Sequence, residues 1–280
     1  MKNRLKIFCK TSCYKNCINK KFLMPEKLTA KAEKILSELP IKSKIGRPTL
    51  DQKRLLQGIY YLLRTGIHWN AIPKCFGSSS ALHRFFIKLV QVNFFKILWT
   101  KELESYEEKN GLNLSIQAID CAHRKSPLGR DKSGDSPVDR KKRGTKLSIL
   151  SEKNGIVLGM AIGPSNQHDS KLFVDTIRSV PGSIKQPKYK EMHLDAAYDS
   201  QEIRTILFNY YFVPKIASNQ RRKKVRPNNP LGYSRWFIEP VHSWMNRFRA
   251  ISIRYSKYAS NYLSLAQFAV SIMTFKRNLI

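Results

Sequence analysis

From residue 113 onward the chain alternates short apolar runs with helical patterns, in the order β-β-β-α-β-α-β-α, and few folds accept that order. "LSIQAIDC" (114–121) is apolar with β-branched residues and reads as a buried strand ending in Asp120. "KLSILSE" and "GIVLGMAIG" follow, separated by Lys153, Asn154 and Gly155, a hairpin signature. "DSKLFVDTIRSV" reads as a helix capped by Asp169, "MHLDAAY" as a strand, "SQEIRTILFN" as a helix capped by Ser200 and "YYFVPK" as a strand. Two long helices, about 234–250 and 260–278, complete the pattern. A three-strand meander followed by right-handed crossovers predicts a sheet in which the first and fourth strands can lie side by side.

The stretch before this block is helical. Pro25 can start a helix through about Leu39, ended by Pro40. "GRPTLDQKRLLQGIYYLLRTG" has Thr49 or Asp51 as cap, an apolar stripe through Leu55, Leu56, Ile59, Tyr60, Leu62 and Leu63, and Gly66 at its end. "FGSSSALHRFFIKLVQ" places serine caps before Leu82, Phe85, Phe86 and Leu89. Three short helices, the last carrying His83, Arg84 and Lys88, read equally as a helix-turn-helix that sets Arg84 and Lys88 on DNA or as a plain bundle with a basic surface. The expected organisation is therefore a basic disordered lead-in over 1–24, a helical DNA-binding region over 25–110 and an α/β domain over 113–280.

Charge narrows the partner. Lys and Arg number 51 against 20 Asp and Glu, a net +31. Such an excess attracts polyanions, and phosphate neutralisation dominates non-specific nucleic-acid binding. A soluble basic enzyme is the bland alternative. No segment offers the ~18 consecutive apolar residues of a membrane span. Lys6, Lys10, Lys15 and Lys20 interrupt the N-terminus, so it does not read as a secretory signal, and a cytoplasmic, nucleoid-associated protein is expected. Cys9, Cys13 and Cys17 are spaced by four, which is not the spacing of a zinc site, and reduced thiols are the better reading.

Three acids carry the candidate chemistry. Asp120 closes the first strand and Asp195 closes the apolar "MHL" of the fourth. An acid ending an apolar strand is costly to bury unless it is paired or binds metal. Side by side, the two would repel unless a cation sat between them. Glu239 falls on the helix after the fifth strand and can lean over the same edge. Three oxygen donors with open water positions suit Mg²⁺ or Mn²⁺, and two such ions can drive in-line displacement at phosphorus. For each acid alone, a cap or surface role is the competing reading. Asp199 competes with Asp195 as the second acid, but it precedes Ser200 and looks like a helix-start residue. His168 can orient substrate or serve a turn. His242, three residues after Glu239, can approach a scissile phosphate or simply pack. Trp236, Phe237 and Trp244 can stack on bases or join the core. The cluster Arg221, Arg222, Lys223, Lys224 and Arg226 is dense enough to read as a DNA-backbone contact, with a solvated loop as the alternative.

At these residues the sequence resembles the insertion-sequence transposases with a DDE active site on an RNase H-like fold, in particular the insertion-sequence five group. The resemblance runs in order over about residues 45 to 280. "AIDCAHRK" resembles the first-acid strand, "DSPVDRKKRGTKLSIL" and "GIVLGMAIGPSNQHDSKLF" the basic loop and hairpin, "HLDAAYDS" the second-acid motif and "SRWFIEPVHSWMNRFRAISIRYSKYASNYLSLAQFA" the third-acid helix. It implies an RNase H-like mixed sheet with flanking helices, preceded by a small all-α, helix-turn-helix-like domain. It implies that Asp120, Asp195 and Glu239 are catalytic and hold two Mg²⁺ or Mn²⁺ ions. It implies that Arg235, Lys141, Lys142, Arg143 and Lys146 contact DNA phosphate. The implied partners are duplex DNA, both terminal inverted repeats and target, and a second copy of the chain in a homodimer, with no membrane. Two departures stand out: Ala196 and Ala197 where the family often has Lys-Gly, and Pro240 where it usually has Arg. A catalytically decayed DNA-binding remnant, or a nuclease on the same fold, are the readings that compete with an active transposase.

Overall fold

The structure, a computed structural model, describes residues 18–40, 50–217 and 236–279. It divides into two units between Phe94 and Phe95.

The first unit is helical: α1 (Glu26–Glu38), α2 (Gln52–Thr65) and α3 (Ser79–Gln91). Asp51 is the cap of α2, its carboxylate accepting from the Lys53 and Arg54 amides at 3.0 and 3.4 Å. Gly66 ends α2 in the left-handed conformation (φ 66), where a side chain would be strained. Leu56, Ile59 and Leu63 form the buried stripe. Residues 18–24 are ordered, contrary to the expected disordered lead-in. Met24 is buried and exchanges hydrogen bonds with the Gln57 amide, and the Phe22 ring meets Tyr61 edge-on at 5.8 Å. Met1 to Cys17, with Cys9, Cys13 and Cys17, lie outside the described residues. Between α2 and α3 the chain makes two 3-10 turns, Trp69–Ala71 and Lys74–Phe76. A helix-turn-helix uses a turn of ~3–4 residues, so of the two readings the plain bundle fits this connection. Gly58 lets α2 approach its neighbours: an added Cβ would lie 2.6 Å from a Leu82 methyl and 2.9 Å from the Phe76 Cβ. Gly58→Val is expected to destabilise the unit by about 1–3 kcal/mol through overpacking, read as a lower urea midpoint. An unchanged midpoint would show that the helices can separate without loss.

The second unit starts with α4 (Phe94–Asn110), all of it after its first residue, so the boundary precedes this helix rather than following it. The sheet comprises β1 (Ile116–Lys125), β2 (Gly134–Asp135), β3 (Arg143–Glu152), β4 (Val157–Pro164), β5 (Lys190–Leu194) and β6 (Phe212–Ile216). Its order is β4-β3-β1-β5-β6, with β2 a short addition on β3. β3 is antiparallel to both β1 and β4, while β1, β5 and β6 run parallel. The expected neighbours, first and fourth long strands, are thus hydrogen-bonded as β1 and β5, and the fold is the RNase H-like mixed sheet with flanking helices. Those helices are α5 (Phe173–Arg178), α6 (Gln201–Asn209), α7 (Glu239–Asn246), α8 (Arg249–Ser252) and α9 (Ala259–Arg277). Gly155 turns the β3–β4 hairpin at φ 79, its amide bonding the Glu152 carbonyl at 2.9 Å. Phe95 of α4 stacks on Phe268 of α9 at 5.1 Å, and Leu98, Trp99 and Leu103 are buried with them.

Three expectations need correction. β1 runs five residues past Asp120, because β3 pairs with it as far as Lys125↔Gly144, so Asp120 sits within a strand rather than at its end. The predicted helix over 169–180 is a 3-10 turn (Asp169–Leu172) followed by α5, and its cap is His168, not Asp169. The long helix expected over 234–250 breaks at Phe248. That residue is extended (φ −93, ψ 97) and buried, separating α7 from α8.

Candidate active site and cation surface

The sheet brings the first two acids together by register. β1 and β5 pair Ile116 with Glu191, Gln117 with Met192 and Ala118 with His193. The ladder stops there: β5 ends at Leu194, and Asp195 opens the turn that follows it. Carried on two residues, the same offset would bring Asp120 level with Asp195. Asp120 keeps 29% side-chain exposure. Asp195 is half-buried and caps the 3-10 turn Ala196–Tyr198, accepting from the Ala197 amide at 2.9 Å. The cap role weighed against it is therefore real.

Glu239 arrives by a different route. Phe237 and Ile238 are buried against Ala118, with Ile116 packed beside them. Ala118 and Asp120 are two apart on β1 and share a face. α7 then runs along that face. His242 Nε2 lies 3.4 Å from Asp120 Oδ2, and one turn later Asn246 accepts a hydrogen bond from Arg124. Glu239 is the first residue of α7 and is exposed. Pro240 stands in the first turn, where the amide it lacks would have no partner within the helix, so helical geometry survives it. Among the described residues, no three His, Cys, Asp or Glu side chains gather closely enough to hold a metal ion. The β1–β5 register thus runs toward Asp120 and Asp195, and α7 is led onto the strand that carries Asp120, while no three such side chains gather among the described residues.

The donor chemistry fits a hard cation. Burial holds His242 well down, to about 4, the Arg124 guanidinium lowers it further, and the Asp120 backbone opposes both. His242 is therefore neutral at pH 7 and does not counter the charge of Asp120. Carboxylate oxygens reaching water are the ligands Mg²⁺ and Mn²⁺ prefer. Burial pushes the Cys121 thiol up to about 12. Its sulfur sits 3.4 Å from the Tyr198 hydroxyl.

The other candidates separate cleanly. Asp199 bonds Arg204 at 2.7 Å, while Ser200 caps α6. His168 serves its own turn, bonding Ser170. Phe237 is core, Trp236 is exposed and Trp244 lies under the Arg277 guanidinium at 4.5 Å. Arg84 and Lys88 are exposed on α3, and Lys141, Lys142 and Arg143 are exposed where the chain enters β3. Lys146 is a correction. It is buried, pairs with Asp169 at 2.6 Å and donates to the Gln167 carbonyl at 2.7 Å, so its charge is spent inside the fold. Arg235, Arg221, Arg222, Lys223, Lys224 and Arg226 lie outside the described residues. Among the described residues, sequence reasoning missed three buried cations, Arg124, Lys190 and Arg254. Arg124 was within reach, because it shares the strand face of Asp120 at period two. Nothing in the local sequence marks Arg254. Among the described residues no helix is long and apolar enough to cross a membrane.

Residues 24–99 match the family described as "Putative transposase of IS4/5 family", and residues 116–273 match "Transposase DDE domain". A relative from Burkholderia cepacia, "Putative transposase for insertion sequence element IS402", is 28% identical over 138 residues, 47% of this chain. The match spans 63% of that relative's length. Among solved structures, the pre-cleavage Mos1 transpososome is 12% identical with a TM-score of 0.28, covering 85% of this chain and 82% of the other. The catalytic domain of Mos1 mariner transposase is 13% identical with a TM-score of 0.26, covering 66% and 91%. The match over 116–273 takes in more than half of the sequence, and the helical match to the IS4/5 description precedes it: the chain belongs to the family of the transposase DDE domain.

Proposed function

We propose that this chain cuts DNA at the ends of its own element and joins the cut 3′ ends to target DNA, with Asp120, Asp195 and Glu239 as the catalytic, metal-holding acids. What supports the proposal is the β1–β5 register, whose offset carried on two residues would bring Asp120 level with Asp195, together with Phe237 and Ile238, which pack against Ala118 of β1 just before the third-acid helix. Two Mg²⁺ or Mn²⁺ ions held by these acids would supply positive charge against the charge that develops on phosphate oxygens during in-line displacement. The chain's own part is to hold and orient the duplex. Arg84, Lys88, Lys141, Lys142 and Arg143 are the exposed cations assigned to phosphate. Arg235 and the run Arg221 to Lys224 are assigned the same role from sequence. A homodimer would present one such acid set to each of two element ends.

A second reading, a DNA-binding remnant without turnover, is favoured by one observation: among the described residues the three acids do not gather into a group that could hold a metal ion. Cleavage decides between them. A duplex carrying the element's terminal repeat is incubated with Mg²⁺, with Mn²⁺ and with EDTA, alongside a second duplex to receive the 3′ end. Cutting and joining that need metal are expected. Pro240→Arg is expected to raise cleavage about tenfold, since a new contact to phosphate at that place need supply only ~1.4 kcal/mol, and the first turn accepts Arg without loss of helix. If the parent and Pro240→Arg both bind the end and cut nothing, the remnant reading stands.

A further inference from the structure

We propose that the segment from Ser126 to Arg143 is a preformed surface for the DNA phosphate backbone, and that buried Arg254 is the positioning residue that holds it in shape. The inference rests on the DNA-binding part of the reading above and needs no cleavage step.

Arg254 is 0% exposed, yet its guanidinium serves two surface segments at once. It donates to the Lys132 and Asp131 carbonyls (3.1 and 2.8 Å) and to the Asp131 carboxylate (3.0 Å). It also donates to the Ser256 and Lys257 carbonyls (both 3.0 Å) and to Thr145 Oγ1 of β3 (2.7 Å). Asp131 completes the tie by accepting from the Ala259 amide at 2.7 Å, where α9 begins. The Arg130 amide bonds the Lys257 carbonyl at 2.9 Å, and the Arg254 amide bonds the Lys125 carbonyl at 2.8 Å. A fork of five donors spent mostly on loop carbonyls fixes backbone, not side chains.

What that backbone presents is charge. Arg130, Lys132, Arg140, Lys141, Lys142 and Arg143 are all exposed. Of the three acids among them, Asp131 is engaged by Arg254, Asp139 lies 3.8 Å from Lys125 and Asp135 is exposed, so exposed cations outnumber acids along the segment. Tyr255 and Tyr258 stand exposed beside the hub, giving the mix of cations and rings that suits nucleic acid. The backbone is also strained where it carries the cations. Lys132, Arg140 and Lys141 hold φ of 46, 50 and 57, a region that long side chains occupy at a cost of order 1 kcal/mol each. Glycine would relieve that strain. Lysine and arginine at these positions make sense if their charge is the purpose.

The test is duplex binding in EDTA across a salt series, so the outcome does not depend on whether the chain cuts. Each lost phosphate contact lowers the slope of log affinity against log salt by about 0.9. Arg130→Gln and Lys132→Gly are each expected to weaken binding about three- to tenfold and to lower the slope by about one. Lys132→Gly should melt at or above the parent temperature, because it relieves strain. Hub variants should behave differently. Asp131→Asn and Thr145→Val keep every surface cation, so the slope should hold while affinity falls severalfold and the Arg130 and Ala259 amides exchange faster. Parent affinity and slope in both Arg130→Gln and Lys132→Gly would overturn the surface. Loosened amides with parent affinity in the hub variants would overturn the positioning role. Should a hub variant fail to fold, the charge variants still decide.

Discussion

Asp120→Ala is expected to lower metal-dependent end cleavage by roughly a thousandfold or more, because removing a ligand to a catalytic cation forfeits several kcal/mol of charge stabilisation, and each ~1.4 kcal/mol is a factor of ten. DNA affinity should stay within about twofold of the parent, since the carboxylate opposes rather than aids phosphate binding. The side chain is partly exposed and shares its strand face with Ala118, so alanine fits without a cavity. Asp195→Asn should lose a comparable share of the rate. It should also keep its turn, because an asparagine oxygen can still accept from the Ala197 amide. Quantitative cleavage of labelled ends, with binding measured in parallel, reads both effects. Cleavage within tenfold of the parent for Asp120→Ala would remove that acid from the mechanism.

Phe268→Ala carries the largest expected loss of stability. Phe268 is fully buried in α9 and stacks on Phe95 of α4 at 5.1 Å. Its neighbours along α9, Leu265, Ala269 and Ile272, are buried as well, so little in the surroundings can move in to fill the space. Truncation should cost about 3–5 kcal/mol, the transfer of the ring plus the cavity left behind. Urea unfolding followed by the second unit's own signal should show the midpoint fall with an unchanged slope. A loss below about 1 kcal/mol would mean that α9 collapses onto the gap.

Much of the catalytic domain was legible because its signals are local. The apolar run ending in Asp120, the Lys153-Asn154-Gly155 turn and the Ser200 cap each name an element without reference to the rest of the chain. The adjacency of β1 and β5 followed from handedness. What stayed hidden depends on tertiary partners. β1 reads as ending at Asp120 because the residues beyond it are polar, yet β3 supplies hydrogen bonds as far as Lys125. Lys146 reads as one more cation of a basic loop, but its partner Asp169 is brought to it only by the fold. The break at Phe248 has no proline or glycine to announce it, and the buried ring at that position is the tertiary fact that decides it. Arg254 is the extreme case. Six of its acceptor atoms come from three separate stretches of chain, and its own neighbours in sequence give no hint that it is inside.

Because the proposed meeting of Asp120 and Asp195 rests on a shared offset between parallel strands, change in length would bear on it very unevenly. Residues added to the connections between Ser126 and Tyr189 lengthen loops and leave that offset untouched in space. One residue gained or lost within Ile116–Ala118 or Glu191–His193 would turn a carboxylate to the opposite side of the sheet, since side chains alternate at every step. Relatives that still cut DNA should therefore vary freely in the spacing between these two acids while keeping each one at a fixed count from the start of its own strand.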